Sequence, residues 1–413
     1  MRLAVICVCA VLLWPLAAAA QEVRFPPPSL RIGEFRADLH VRLHFDFRAL
    51  DSDPEVAPDE FDFRRFRVSL EGRIYDDLEY EVDASLLDDE NPWRDVFLNY
   101  RKFRAAEVRA GKFKVPFGLD QLTSEFSHNF IERSLIGTQI APGRDKGVMV
   151  HGRVAGDRMR YYGSWFLHDG DNMQFIEDLD QNEFLDDPPV DNTIAGRVEL
   201  TPWEPTRGRL RRLQFGANFT RGVVDDGLFG MRGRTVREFT FFEPMYVSGE
   251  RIRLGVDALW TPGPFSVSAE YNRLTDQRNG QGVGDVDLPD VIAQGWYLEG
   301  TWALTGESKA GGIEPRHPLF QGGAGAVEVA ARFDELRFSS DGTGGEPPFT
   351  NPRAANILPN RDRVITLGGN WYLNRYGRVL FNAVRETIQD PLRSPLPDRT
   401  RFWTGVLRLQ FVM

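Results

Sequence analysis

The sequence is poor in three things, and each shortage excludes something. Of its 413 residues only Cys7 and Cys9 are cysteine. Beyond residue 20 the chain has no thiol, hence no disulfide, zinc-thiolate site or cysteine nucleophile. Long apolar runs are also missing. A membrane helix needs about 20 mostly apolar residues in a row, and at a mean hydropathy of -0.36 only the very start comes near that, so a bundle of such helices is excluded. Lysine is the third shortage, present only at Lys102, Lys112, Lys114, Lys146 and Lys309. Nearly all positive charge is therefore arginine, the better planar partner for phosphate or carboxylate.

Residues 1–20 combine Arg2, an apolar stretch from Leu3 to Leu16 and Ala18, Ala19 and Ala20 before Gln21, the pattern of a cleaved secretory signal. Neither cysteine sits at the expected cut, which argues against a lipoprotein. Cleavage takes both cysteines and Arg2, leaving a mature chain one unit more negative than the full-length net charge of -10.

The mature chain alternates. From Phe35 to Phe47, Phe35, Ala37, Leu39, Val41, Leu43, Phe45 and Phe47 share one face, while Arg36, Asp38, His40, Arg42, His44, Asp46 and Arg48 share the other. A period of two is a strand, and the apolar face covers the roughly 9 to 11 residues of a tilted membrane strand. The pattern recurs with Phe66, Val68 and Leu70 against Arg65, Arg67, Glu71 and Arg73, and with Ile252, Leu254, Val256 and Ala258 against Arg251, Arg253 and Asp257. Alternation suits a soluble sandwich equally well, but three further features favour a membrane barrel. Aromatic residues gather near strand ends (Trp260, Trp302, Trp371 with Tyr372, Trp403). Tight connections such as 261–264 contrast with long ones from Leu119 to Lys146, Asp169 to Asp191 and Asp341 to Asn360. The chain also ends on Trp403, Gly405, Leu407, Leu409, Phe411 and Met413 at every second position. The expectation is an all-β fold, a transmembrane antiparallel β-barrel of 16 strands over residues 33–413. It follows a signal peptide (1–20) and a short periplasmic segment (21–32). Val236 to Tyr246, a weak strand candidate, is expected in a loop.

The stretch Gly111-Lys112-Phe113-Lys114-Val115-Pro116-Phe117-Gly118-Leu119, with Glu132-Arg133-Ser134-Leu135 and Ala141-Pro142-Gly143-Arg144-Asp145-Lys146-Gly147, resembles the phosphate-selective porin O and P family. Phe63-Arg64-Arg65, Leu304-Thr305-Gly306-Glu307 and Asn370-Trp371-Tyr372-Leu373-Asn374 support this in the family's order. The resemblance implies an outer-membrane trimer passing small anions, phosphate or polyphosphate among them, by diffusion, with no cofactor and no enzymatic activity. Its third loop, here Leu119 to Arg144, folds inward as the constriction. Implied partners are membrane lipid, lipopolysaccharide and, through the last strand, the barrel-assembly machinery, with no part for nucleic acid.

Carried over residue by residue, the resemblance places Arg64, Arg65, Asp95, Ser124, Arg133 and Arg232 at the constriction. Gln121 and Gly312 stand where phosphate-selective members carry lysines, which weakens the expectation of phosphate selectivity. Parity puts Arg36, Arg42, Arg48, Arg67 and Arg73 on the lumen wall as an anion-guiding track. The alternative is that these arginines pair with Asp38, Asp46, Glu71, Glu79, Glu81 and Asp83 on the same face, giving a general or carboxylate-type porin.

Other clusters are weaker. His40 and His44 are roughly 13 Å apart at about 3.3 Å per residue, too far to share one metal. Asp178, Asp180 and Asn182 resemble the opening of a calcium loop, but Glu183 replaces the turn glycine. Acidic residues of Asp169 to Asp191 are expected at the outer surface. A β-barrel hydrolase would need Ser124, His128 and Asp120 brought together without a nucleophile-elbow motif.

Overall fold

The computed structural model describes residues 28–50, 60–88, 92–172, 190–204, 208, 210–341, 344–396 and 399–413. The signal-peptide segment and the calcium-like stretch 178–183 lie outside them. The strands are β1 (Ser29–Ile32), β2 (Phe35–Leu50), β3 (Glu60–Ile74), β4 (Leu78–Ser85), β5 (Trp93–Tyr100), β6 (Glu107–Lys114), β7 (Arg144–Val154), β8 (Met159–Phe166), β9 (Val190–Leu200) and β10 (Gln214–Gly227). They continue with β11 (Gly233–Arg234), β12 (Thr240–Phe242), β13 (Val247–Trp260), β14 (Phe265–Arg278), β15 (Leu288–Ala303), β16 (Ala326–Ser340), β17 (Asn360–Tyr372), β18 (Gly377–Ile388) and β19 (Arg401–Val412).

Each of β2 to β9 pairs antiparallel with the next, β10 pairs with β13, and the series runs on to β19. The last strand returns to the first, with Leu409 opposite Phe45 and Phe411 opposite Leu43. The result is a closed barrel of sixteen strands. Closure matters because an open edge would leave backbone N–H and C=O groups unpaired in an apolar solvent. β1 only extends the start of β2 as a hairpin, Ser29 facing Asp38. β11 and β12 form a separate small hairpin within the β10–β13 connection, which is why Val236 to Tyr246 adds no barrel strand.

The burial pattern is inside out relative to a water-soluble protein. On β13, Arg253 is fully buried while its neighbour Leu254 is 55% exposed. Leu298, Leu367 and Leu409 likewise face outward, whereas Glu270, Asn272, Glu328 and Asp334 are buried. An apolar surface this extensive needs an apolar solvent, and lipid is the one that fits a barrel. Trp260, Trp302 and Trp371 sit at the rim of the tight turns, and Trp93, Trp165 and Trp403 at the opposite rim. Tyr372 departs from the expected girdle. Adjacent strand residues face opposite ways, and its hydroxyl donates inward to Glu328 Oε2 at 2.8 Å.

One rim carries tight turns, as between β3 and β4 or β13 and β14, and the other the long connections. The exceptions are 201–213 and 304–325, long connections on the tight-turn rim. A second apolar core lies on the inner side. Phe113, Phe117, Leu135, Ile136 and Ile140 pack with Phe241, Phe242 and Phe338, all buried.

Candidate functional site

The connection 115–143 joins neighbours β6 and β7, yet its backbone is held by inner-face side chains from well beyond them. Arg253 of β13 donates to Ile140 O at 2.7 Å, and Glu270 of β14 accepts from Asp120 N at 2.9 Å. Arg332 of β16 donates to the carbonyls of Glu132 and Arg133, each at 3.0 Å. Arg378 of β18 and Gln410 of β19 both donate to Phe126 O. Asn382 accepts from Ile131 N at 2.7 Å, and Arg408 donates to Ile131 O at 2.9 Å. A buried backbone group without a partner is costly, so the inner face of the barrel supplies what this irregular segment cannot supply itself.

Local chemistry shapes the segment. Gly118 takes a φ of 76°, a left-handed turn before the short helix Leu119–Leu122 that glycine adopts without steric cost. Ser134 caps the helix Leu135–Gln139 by accepting from Gly137 N at 3.1 Å. Asp120 accepts from both Ser134 N and Ser134 Oγ, and a Cβ at Gly137 would lie 2.0 Å from its Oδ2. Burial alone would raise the Asp120 carboxyl, but His128, Arg133 and Arg332 beside it hold it below its ordinary value.

Beside this segment lies a cavity of about 560 Å³. Nine arginines line it (Arg64, Arg65, Arg67, Arg94, Arg133, Arg144, Arg232, Arg234 and Arg408) against five carboxylates, Glu125, Glu132, Asp171, Asp226 and Glu238. Among its lining residues there is no lysine.

A β-bulge brings Arg64 and Arg65 together. Opposite His44 and Phe45 the register skips one residue of β3, so His44 faces Arg65, Phe45 faces Phe63, and Arg64 is the extra residue. Strict alternation would send consecutive residues to opposite faces. The bulge absorbs one, and both arginines reach the cavity while Phe61 and Phe63 stay outside.

The other expected site residues divide. Arg133 and Arg232 line the cavity, but Asp95 and Ser124 do not. Asp95 accepts from Arg144 Nε at 2.9 Å and Arg144 Nη2 at 2.7 Å and so orients a cavity arginine from behind. Ser124 is exposed and makes no side-chain cap bond. On the expected wall track, only Arg67 lines the cavity. Arg36 pairs with Asp38, Arg42 with Glu71 and Asp83, and Arg48 with Asp46 and Glu132, while Arg73 is exposed near the far end of β3. Gln121 lines the cavity and Gly312 does not. Lys114 is spent on the carbonyls of Gln121, Leu122 and Thr123.

One placement corrects the sequence reading. Asp169 and Asp171 are not on the outer surface. Asp169 is buried between Arg251 and Arg253, whose charges outweigh burial and lower its carboxyl, and Asp171 pairs with Lys112. His128, by contrast, is not free to act as a base. Its Nδ1 lies 3.4 Å from Asp120 Oδ1, and its Nε2 accepts from Arg133 at 2.7 Å. Burial and the adjacent Arg133 push the imidazole down to about 3.

Sequence inspection missed Glu125, the carboxylate at the centre of the cluster. Arg65 Nη1 lies 2.9 Å and Arg67 Nη2 3.2 Å from its Oε2, and Arg133 Nη2 lies 3.9 Å from its Oε1. Burial opposes its ionisation, but Arg65, Arg67 and Arg133 hold the carboxyl well below its ordinary value. The only sequence signal was its place one residue after Ser124.

Comparison with known proteins agrees with this architecture. The family model described as phosphate-selective porin O and P matches residues 37–219 and 233–412. Porin O of Pseudomonas aeruginosa is 22% identical over 385 residues, covering 83% of this chain and 80% of that protein. An anion-selective porin from Comamonas acidovorans has a similar structure, with a TM-score of 0.57 at 11% identity, covering 92% of this chain and all of that one. The outer membrane protein OmpT of Vibrio cholerae gives 0.55 at 11% identity, covering 93% of this chain and 99% of that one. A family match over most of the length, joined to a closed sixteen-stranded barrel with its apolar side out, makes this chain a member of the phosphate-selective porin O and P family, a channel of the bacterial outer membrane.

Proposed function

We propose that the chain forms a water-filled pore passing small anions by diffusion, with the segment Leu119 to Arg144 as its constriction. The observation that carries this is the excess of nine arginines over five carboxylates around the cavity. A passive pore selects by width and by the charge at its narrowest point, and charges shielded from bulk water act more strongly than exposed ones. Arg64, Arg65, Arg133 and Arg232 supply that charge, Asp95 positions Arg144, and Ser124 is assigned no contact with the permeating ion.

Pairing of Arg36, Arg42 and Arg48 with wall carboxylates supports a narrower site than the long arginine track that parity suggests. Inorganic phosphate is one permeant among small anions, since lysine is absent from the cavity lining. A hydrolytic role is disfavoured because the lone pair of His128 Nε2 is already engaged by Arg133. The same reading includes a homotrimer in the outer membrane, tested by cross-linking in intact membranes.

Reversal potentials of the purified protein in planar bilayers across a salt gradient test the anion preference. Anion preference is expected, reduced in Arg65→Ala. A cation-preferring wild-type channel would refute the proposal.

A further inference from the structure

Several cavity and wall arginines have an acidic partner supplied by the barrel wall. Arg144 has Asp95, Arg408 has Asp46, and Arg42 has Glu71. Arg65, Arg67 and Arg133 differ. Among the described residues their one ion-pair partner is Glu125, on the connection itself. A single carboxylate thus sits among three guanidinium groups, placed as a carboxylate or phosphate oxyanion from solution would be placed. The Nε donors of Arg64, Arg65 and Arg67 find no protein acceptor, and Glu125 Oε2 itself makes no hydrogen bond, so charge holds Glu125 among these arginines and their donors stay available to an entering oxyanion.

We propose that Glu125 is a specificity-determining residue that acts as a tethered competitor. It occupies the oxyanion seat formed by Arg65, Arg67 and Arg133, so that anions pass through the pore without being held there. A permeating oxyanion must displace a carboxylate bound to its own chain and always present at high local concentration. The site therefore discriminates against tight phosphate binding by charge, while three guanidinium groups against one carboxylate still leave the cavity positive.

Glu125 is not needed to hold the connection in place. Arg378 and Gln410 grip Phe126 O, Arg332 grips Glu132 O and Arg133 O, and Arg408 grips Ile131 O. Removing the Glu125 side chain leaves all of these bonds intact.

The inference rests on the anion-pore reading and can be separated from it. Chloride current through the full-length protein in planar bilayers is titrated with inorganic phosphate, for wild type, Glu125→Gln and Glu125→Ala. The half-blocking phosphate concentration is expected to fall by about tenfold or more in both variants, because one full opposing charge leaves a shielded site. An unchanged half-blocking concentration in assembled, anion-preferring variants overturns the proposal while leaving the anion pore standing. A cation-preferring wild-type channel instead overturns the pore reading on which the proposal rests. If one variant fails to show the heat-modifiable gel mobility of a folded barrel, the other decides.

Discussion

At the scale of single residues, the cavity is governed by pairings that leave some arginines neutralised and others exposed to whatever enters. Arg48 and Arg408 both contact Asp46, so neither offers a full charge to a passing ion. Arg65 and Arg67 meet only the loop carboxylate. His128 adds a pH dependence. Its imidazole is held at about 3 in the folded protein against an ordinary value of 6.5, so below about pH 6.5 the unfolded state binds a proton that the folded state refuses. Stability is therefore expected to fall as pH drops from 6.5 toward 3, and thermal unfolding midpoints of His128→Gln should flatten across that window. Glu125 behaves as a depressed carboxylate. Its contribution is complete above its ordinary value of 4.5 and is lost only as pH falls through its lower folded value.

Among elements, the bulge on β3 and the packed inner connections do most to shape the pore. Arg64 is the extra residue in an otherwise regular pairing, so deleting it restores strict alternation without turning any flanking side chain to the other face. The deletion variant is expected to assemble and keep heat-modifiable mobility while losing part of its anion preference. Failure to assemble would show that the barrel needs the bulge. Deletion of Phe66, within the regular ladder, should reverse the faces of one arm of β3 and abolish assembly. Inner packing is testable in the same way. Phe338 stacks on Phe242 with ring centres 4.2 Å apart, and Phe338→Ala is expected to cost about 3–5 kcal/mol, read as a loss of stability in denaturant titrations. That apolar inner core was not legible beforehand. Phe113, Val115 and Phe117 occur in a motif whose resemblance was clear, but alternation assigns faces only within strands and says nothing of what a connection packs against.

For the whole molecule, the decisive quantity is which solvent each face meets. The outward leucines and tryptophans require lipid, and the protein should fractionate with outer membranes and migrate faster unheated than boiled. The strand count, the barrel and its membrane-facing side were legible in the sequence because a period of two places side chains by parity, whatever the distant contacts. The arginine-rich character of the pore was legible too, since the lysines are so few. Tertiary structure decided the rest. The register skip that points both Arg64 and Arg65 inward depends on where β2 pairs with β3, and the burial of Asp169 depends on Arg251 and Arg253 more than 80 positions away. Glu125 gained its place among three guanidinium groups only when strands β13 to β19 gripped the connection that carries it. Parity is local and is written along the chain, whereas the pairing of charges across a barrel depends on closure, and closure brings together residues that no short stretch of sequence places side by side.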